Sequence, residues 1–423
     1  MKFLNIFLFS FISFFVVIIL PYFGAIDVIG PQWFYLGLSN VIVFIIFYRE
    51  KIILPNSFLF YIYCFFILQV ILSLIYSNNV NVSIVDASRF LTVLFTIYNL
   101  YFIIRSRSIS FYTISLVLSL FLVFELVYSL TTFFSFFYLN KVSDYSFFNS
   151  IYSENLFLGF AGNKNITASS IAIKLPFLLY LFFYSKKHIK IFSTIILFFV
   201  FVLLFLLKAR AVFVSVGFVL LLYALFSIYT KRLSYIIILF TVFLSFFLVS
   251  VLTTKGSNNT LLSDISSIEI SASSSNDRFL LWDNAISYIK VHPLIGCGIG
   301  NWKIESLPYW NTHLSNYIVP YHAHNEFLEI TTELGIFGGV TYLVFFISIF
   351  ISLFYKLYCS RNNYLYTSIY VTLIASFSIY FVDLCLNFPH ERPRMQIMFA
   401  VLFALTLFMN KKQTFIKWEY FLS

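Results

Sequence analysis

Apolar residues run along this chain in long blocks separated by short polar breaks, with neither the alternation of half-buried strands nor the one-sided stripe of a soluble helix. Blocks fall near 3–22, 33–48, 57–76, 84–104, 111–138, 166–185, 191–207, 211–229, 233–252, 335–358, 364–386 and 395–410. Most approach the ~20 residues that cross a ~30 Å hydrocarbon core as a helix. In lipid every backbone polar group needs a partner within the fold, so such blocks predict helices. The expectation is an all-α integral membrane protein with about 12 transmembrane helices. The polar stretches divide it into residues 1–252 (helices one to nine), 253–333 (one large external loop) and 334–423 (three more helices and a cytoplasmic tail).

The cations give the orientation. Lys2, Arg49 and Lys51, Arg105 and Arg107, Lys186, Lys187 and Lys190, Lys231 and Arg232, Lys356 and Arg361, and Lys411, Lys412 and Lys417 occupy every second connection and both ends. By the positive-inside tendency these are cytoplasmic, which places both termini inside and the 139–165 and 253–333 connections outside.

Within the large loop, Lys255 to Asn276 is rich in Ser and Asn and reads as irregular. Asp277 to Lys290 sets Phe279, Trp282, Ala285, Ile286 and Ile289 at helical spacing, an amphipathic helix expected to lie on the membrane face. Pro293 ends it, and Gly296, Gly298 and Gly300 supply a tight turn. Asn325 is a fitting N-cap for a second helix leading into the next span.

Composition agrees with lipid as the main solvent: 61% of residues are hydrophobic and 10% charged, against roughly 25% charged in soluble domains. The net charge of +10 is too interrupted to form a nucleic-acid stripe, and fits loop orientation and anionic headgroups. Cys64, Cys297, Cys359 and Cys385 lack metal or redox spacing and read as packing residues.

Polar groups that topology does not explain are the functional candidates, because a charge inside the membrane costs about 3 kcal/mol on insertion scales. Lys208 and Arg210 sit at an outer boundary where no orientation rule asks for cations. Arg278, Arg392 and Arg394 join them outside, and Arg89 lies about one turn inside its span. Singly, each could snorkel or pair with Asp86, Asp277, Asp283 or Glu391. Together they suit a lipid-linked phosphate or pyrophosphate, which the planar guanidinium binds through a permanent charge.

A second cluster is Tyr321-His322-Ala323-His324-Asn325-Glu326, followed by Glu329 and Glu333. The His-x-His spacing lacks the ligand pattern of a structural or hydrolytic zinc site, so no metal is expected. At a helix N-terminus the dipole favours neutral imidazole, which makes His322 or His324 a candidate general base. Trp282, Trp302, Trp310, Tyr309 and Tyr317 suit either an interfacial belt or stacking on sugar rings. His292 and His313 carry no spacing argument. Glu125, Lys174 and Asp383 fall inside spans, as the residues of an ion or proton pathway would, and keep a transporter open as a rival class.

These motifs resemble the O-antigen ligase and O-antigen polymerase superfamily of bacterial envelope glycan assembly. The resemblance lies in Asn276-Asp277-Arg278-Phe279-Leu280-Leu281-Trp282, Val291-His292-Pro293-Leu294-Ile295-Gly296-Cys297-Gly298-Ile299-Gly300, and His324-Asn325-Glu326-Phe327-Leu328-Glu329 running on to Glu333-Leu334-Gly335-Ile336-Phe337-Gly338. His324, Asn325, Gly335 and Gly338 meet the family's His-Asn, nine residues, Gly, two residues, Gly pattern. Gly162-Asn163-Lys164-Asn165 is similar to its Gly/Asn-rich entry to a span. Lys208-Ala209-Arg210-Ala211 keeps the Arg of a Ser-Arg-Gly-like segment, with alanines in place of Ser and Gly.

The resemblance implies a GT-C type glycosyltransferase needing no metal, nucleotide or other cofactor, at the outer face of the bacterial inner membrane. Its donor would be a glycan on undecaprenyl pyrophosphate. It implies that Arg210 and Arg278 hold the pyrophosphate and that His324 activates or orients the acceptor hydroxyl. Arg89, Lys208, Trp282, His322, Asn325 and Arg392 are expected to bind substrate. A ligase, with lipid A core as acceptor, is the first expectation; a repeat-unit polymerase, accepting a second lipid-linked glycan, is the alternative. A protein O-glycosylating branch is less expected without an added C-terminal domain, and a lipid-linked glycan flippase is the rival of another class.

Overall fold

The computed structural model describes residues 2–19, 29–50, 53–107, 109–139, 159–161, 163–231, 233–254, 273–310 and 321–410. In chain order the helices are α1 (Lys2–Ile19), α2 (Ile29–Phe47), α3 (Phe58–Leu72), α4 (Val80–Arg107), α5 (Phe111–Leu139), α6 (Lys164–Ala172), α7 (Leu175–Tyr184) and α8 (Lys187–Leu207). Then follow α9 (Arg210–Thr230), α10 (Tyr235–Thr254), α11 (Ser273–Val291), α12 (Trp302–Glu305), α13 (Glu326–Cys359), α14 (Tyr364–Leu386) and α15 (Pro393–Met409). No strand occurs among the described residues.

Nine helical segments among the described residues are long and apolar enough to cross a bilayer, and three shorter apolar stretches, Leu8–Ile18, Tyr235–Val251 and Pro393–Met409, lie on the remaining expected spans. Large apolar side chains such as Phe34, Phe44, Phe240 and Phe247 point outward. A surface of that kind is stable against lipid and not against water. The chain is an all-α integral membrane protein.

α15 is the inner column. Every residue from Pro393 to Leu407 is buried, as expected of a helix apolar on all sides, and it packs on α4, α1 and α14. The expected span at 166–185 is two helices, α6 and α7, broken at Lys174 with Pro176 in the first turn of α7. Proline lacks the N–H that would continue the ladder. The break leaves Lys174 fully buried against Glu125, with Nζ to Oε2 3.0 Å, while Nζ also donates to the Ser170 carbonyl at 2.6 Å.

α13 positions the site. It kinks at Gly335, whose φ of 73° lies in the left-handed region where Cβ-bearing residues are strained. A Cβ there would stand 2.2 Å from the Leu294 carbonyl oxygen. The kink frees backbone groups that the Gly-rich turn then satisfies: Cys297 N donates to Thr332 O at 3.1 Å and Gly298 N to Glu333 O at 2.9 Å. Ile336 N donates in return to Pro293 O at 2.9 Å. A helix bends at a membrane boundary only where other groups take over its hydrogen bonds.

Candidate functional site

The Gly-rich turn joins three elements. Its far side docks on the connection between α3 and α4, where Asn301 Nδ2 donates to Ser77 Oγ and Ser83 Oγ, each at 2.8 Å, and Asn79 N donates to Asn301 Oδ1 at 3.1 Å. Ser83 Oγ donates to the Ile299 carbonyl at 2.6 Å. Gly300, at φ 77°, passes so close to Asp86 that a Cβ would lie 2.0 Å from its Oδ2. Beneath the turn, Ala285, Tyr288, Cys297, Trp302 and Ala323 form a small core of their own. Trp302 is therefore a packing residue, 2% exposed, and the turn is anchored on α4, α11 and α13 together.

The two histidines at the entrance to α13 differ in charge. His322 places Nδ1 2.8 Å from Glu329 Oε1 and Nε2 3.0 Å from Glu391 Oε2. Both ring nitrogens face carboxylates, so both carry protons. Burial opposes the imidazolium, but Glu329 and Glu391 outweigh it and push the pKa up to about 10. His322 is a cation at neutral pH and cannot serve as a base.

His324 is neutral. Burial first, then the charges of Arg278, His322 and Arg392, lower its pKa to about 4. Its backbone takes φ 52°, a conformation costly for a side chain with a Cβ and concentrated at functional sites. Its buried Nδ1 has no hydrogen-bond partner among the described residues. Asn325 caps α13 by accepting from Leu328 N at 3.2 Å, which ends the extended stretch and starts the helix directly after His324.

The acidic partners form a ladder toward the neighbouring span. Glu391 accepts from Arg89 Nη1 at 3.1 Å, and the same nitrogen reaches Asp86 Oδ1 at 2.6 Å. Burial would raise the Glu391 pKa, but His322, His390 and Arg89 outweigh it and hold the carboxyl below the usual range. The turn that carries Glu391, Pro389–Glu391, is fixed by Glu326, whose Oε2 accepts from His390 N at 3.0 Å. Trp33 Nε1 donates to the Glu391 carbonyl at 3.2 Å.

Phe388 gathers the site's charged groups. His322 stacks on its ring at 3.8 Å, His324 meets its edge at 5.2 Å, and the Arg392 guanidinium lies 4.4 Å over it. Desolvated contacts of a cation with an aromatic face contribute about 2 kcal/mol. The ring holds the two histidines and Arg392 in fixed relation.

The remaining arginines converge from elsewhere in the chain. Arg210 is exposed in the first turn of α9, just after Lys208, which closes α8 in a left-handed conformation at φ 51°. Arg278 is half-buried on α11. Burial, then the charge of Arg210, lowers the Arg278 pKa, while Asp383 raises it. Neither Arg210 nor Arg278 has an ion-pair partner among the described residues. Two cations that repel each other, one of them acting on a neutral imidazole, are chemically able to hold an anion.

Among the expected substrate-binding residues, the structure brings His322, His324, Arg278, Arg210 and Arg392 into one electrostatic group. Arg89 is engaged by two carboxylates, Asn325 by its capping bond, and Trp282 lies edge-on to Phe279 at 5.5 Å with its Nε1 buried and without a partner among the described residues. Gly162, His313, Tyr317 and the stretch 255–272 lie outside the described residues, as does the Asp277 side chain. Phe388 and His390 were not legible as site residues. Their one signal is a polar run, His390-Glu391-Arg392, held between Pro389 and Pro393 at the junction of two apolar blocks.

A family model described as O-antigen ligase matches residues 194–343. The matched segment carries Arg210, Arg278 and His324, with Asp383, Phe388 and Arg392 beyond it. No curated protein matches the chain. The matched segment runs from the boundary turn through the Gly-rich loop into the kinked helix, and over those residues the chain is similar to the O-antigen ligase family.

Proposed function

We propose that this protein is a membrane glycosyltransferase that moves a glycan from undecaprenyl pyrophosphate to an acceptor hydroxyl, acting as an O-antigen ligase with lipid A core as acceptor. The observation that carries the reading is a neutral His324 in the field of Arg278, which in turn feels Arg210, two arginines without carboxylate partners among the described residues.

In the proposed reaction the acceptor oxygen attacks the anomeric carbon of the donor sugar. The bond from that carbon to the pyrophosphate oxygen breaks, and its electron pair leaves with undecaprenyl pyrophosphate. The hydroxyl proton passes to the imidazole of His324. Arg210 and Arg278 offset the charge that develops on the leaving group, the part a divalent cation plays in other sites. On this reading no metal, nucleotide or other cofactor takes part. Loss of a general base typically lowers the rate by about 10²–10⁴, and loss of a donor to a developing anion by about 10²–10³.

His322 stays charged and holds Glu329 and Glu391, so its proposed part is to shape the acceptor side. Lys208, Arg89, Trp282 and Asn325 are proposed to contact substrate around it. The alternation of Lys/Arg-bearing connections supports twelve crossings of the bacterial inner membrane, with both termini cytoplasmic and the site facing the periplasm.

The experiment is a reconstituted assay in which proteoliposomes receive an undecaprenyl pyrophosphate glycan with either lipid A core or a second lipid-linked glycan. The ligase reading expects glycan on lipid A core and released undecaprenyl pyrophosphate. A lengthened lipid-linked glycan identifies a polymerase instead. Movement across the bilayer with the lipid linkage intact identifies a transporter and overturns the proposal.

A further inference from the structure

Asp383, at the end of α14, and Arg392, just before α15, face each other as a loose ion pair. Arg392 Nη1 stands 3.8 Å from Asp383 Oδ2, beyond hydrogen-bond range, although the two residues are only 5% and 3% exposed. Asp383 Oδ1 is satisfied: Ser169 Oγ donates to it at 2.9 Å and Asn387 Nδ2 at 2.7 Å. Oδ2 is buried without a hydrogen bond among the described residues, as are Nε and Nη1 of Arg392. Ser169 and Asn387 hold the carboxylate on one side, and Phe388 lies under the guanidinium on the other.

Buried charged atoms without a hydrogen bond are costly to keep, so three of them on two facing residues point to a ligand. The composition of the pair selects the ligand's chemistry. A phosphate only accepts hydrogen bonds and would set its charge against Asp383. An ammonium only donates and would face Arg392. A hydroxyl donates to Oδ2 while accepting from Nε or Nη1, and neighbouring hydroxyls on one ring engage both residues. Arg278 senses the charge of Asp383, so the pair lies within electrostatic reach of the cations assigned to the pyrophosphate.

We propose that Asp383 and Arg392 form a sugar-hydroxyl subsite that holds the pyranose ring bonded directly to the donor pyrophosphate. It rests on the donor assigned under Proposed function and is separate from the pyrophosphate contacts of Arg210 and Arg278. Asp383 acts here as a specificity residue, outside any proton pathway.

The test is equilibrium binding to the full chain in lipid nanodiscs with two probes, undecaprenyl pyrophosphate and undecaprenyl pyrophosphate N-acetylglucosamine. Wild type is expected to prefer the glycosylated probe by about tenfold, the worth of one charge-assisted hydrogen bond. Asp383→Asn is expected to abolish that preference while binding the bare lipid within about twofold of wild type, and Arg392→Gln is expected to abolish the preference as well. Arg278→Ala weakens both probes, which marks the pyrophosphate contact apart. Ser169→Ala removes a bond to Oδ1 alone and keeps the preference. The proposal is overturned if Asp383→Asn keeps the preference, if it weakens both probes alike, or if Ser169→Ala loses the preference equally. Failure of wild type to bind either probe removes the donor reading itself, whereas equal binding of the two removes only the subsite.

Discussion

Replacing His322 by glutamine is expected to move the acid limb of the proposed transfer reaction to higher pH. In the wild type, His324 has a pKa of about 4, held there by burial and then by Arg278, His322 and Arg392. At pH 5.5 an imidazole of that pKa is about 97% neutral, and one at the ordinary 6.5 about 9%, so roughly tenfold in base concentration is at stake. His322→Gln removes one of the lowering cations and leaves Glu329 and Glu391 facing the site, and both changes favour a proton on His324. Burial and Arg278 remain, so the variant limb falls between about 4 and 6.5.

The assay is the initial rate of glycan transfer in proteoliposomes from pH 4.5 to 8.5, each profile normalised to its own value at pH 8. The wild-type profile is expected to stay level down to about pH 5, and the variant to fall already below pH 6.5. Superimposable profiles, or a variant limb shifted to lower pH, refute the charge coupling between the two histidines. Stability supplies an independent sign. The His322 pKa is raised from 6.5 to about 10, a preference on the order of 5 kcal/mol for the imidazolium. That contribution is complete below pH 6.5 and disappears as pH rises through 10, so the stability gap between wild type and variant narrows in alkali.

Other perturbations have outcomes of their own. Gly335→Ala sets a Cβ 2.2 Å from the Leu294 carbonyl, and is expected to destabilise by about 1–3 kcal/mol or more, seen as a lower thermal midpoint in detergent and lost activity; an unchanged midpoint contradicts the role given to the kink. Asn301→Ala cuts the turn from Ser77 and Ser83, and is expected to cost about 1–3 kcal/mol and to speed protease cleavage between α11 and α13. Lys174→Met leaves Glu125 buried and unpaired and is expected to cost about 3–5 kcal/mol, with Lys174→Met/Glu125→Leu recovering most of it and retaining transfer. Loss of transfer in a stable double variant returns these residues to the transport reading.

The apolar blocks were legible because lipid leaves the chain few options, and each expected span is helical over its described residues. Their ends were harder. α13 starts at Glu326, well before the apolar block at 335–358, because its first turns are polar and sit in the site rather than in lipid. The break at Lys174 was hidden because Pro176 falls inside an otherwise uniform block. Among the site residues, Arg210, Arg278 and His324 stand out as charges or motif positions, whereas Phe388 looks like any other apolar residue of a span. Its importance comes from contacts with His322, His324 and Arg392, two of them more than sixty positions away, and no local pattern encodes those. By sequence Asp383 belongs with Glu125 and Lys174 to one class of intramembrane charge. The structure separates them: Glu125 and Lys174 satisfy each other, while Asp383 keeps one oxygen turned toward Arg392.

The central claim is that His324 and Arg278 act on one bond, between a sugar and a lipid pyrophosphate. The direct measurement is single-turnover conversion of a radiolabelled undecaprenyl pyrophosphate glycan, resolved by chromatography, for wild type, His324→Ala and Arg278→Ala in lipid. Wild type is expected to give a new glycosidic product and released undecaprenyl pyrophosphate. Each variant is expected to be slower by about 10²-fold or more, with His324→Ala still binding the donor and Arg278→Ala binding it weakly. Wild-type turnover retained in either variant, with the protein inserted and monodisperse, contradicts the roles given to these two residues.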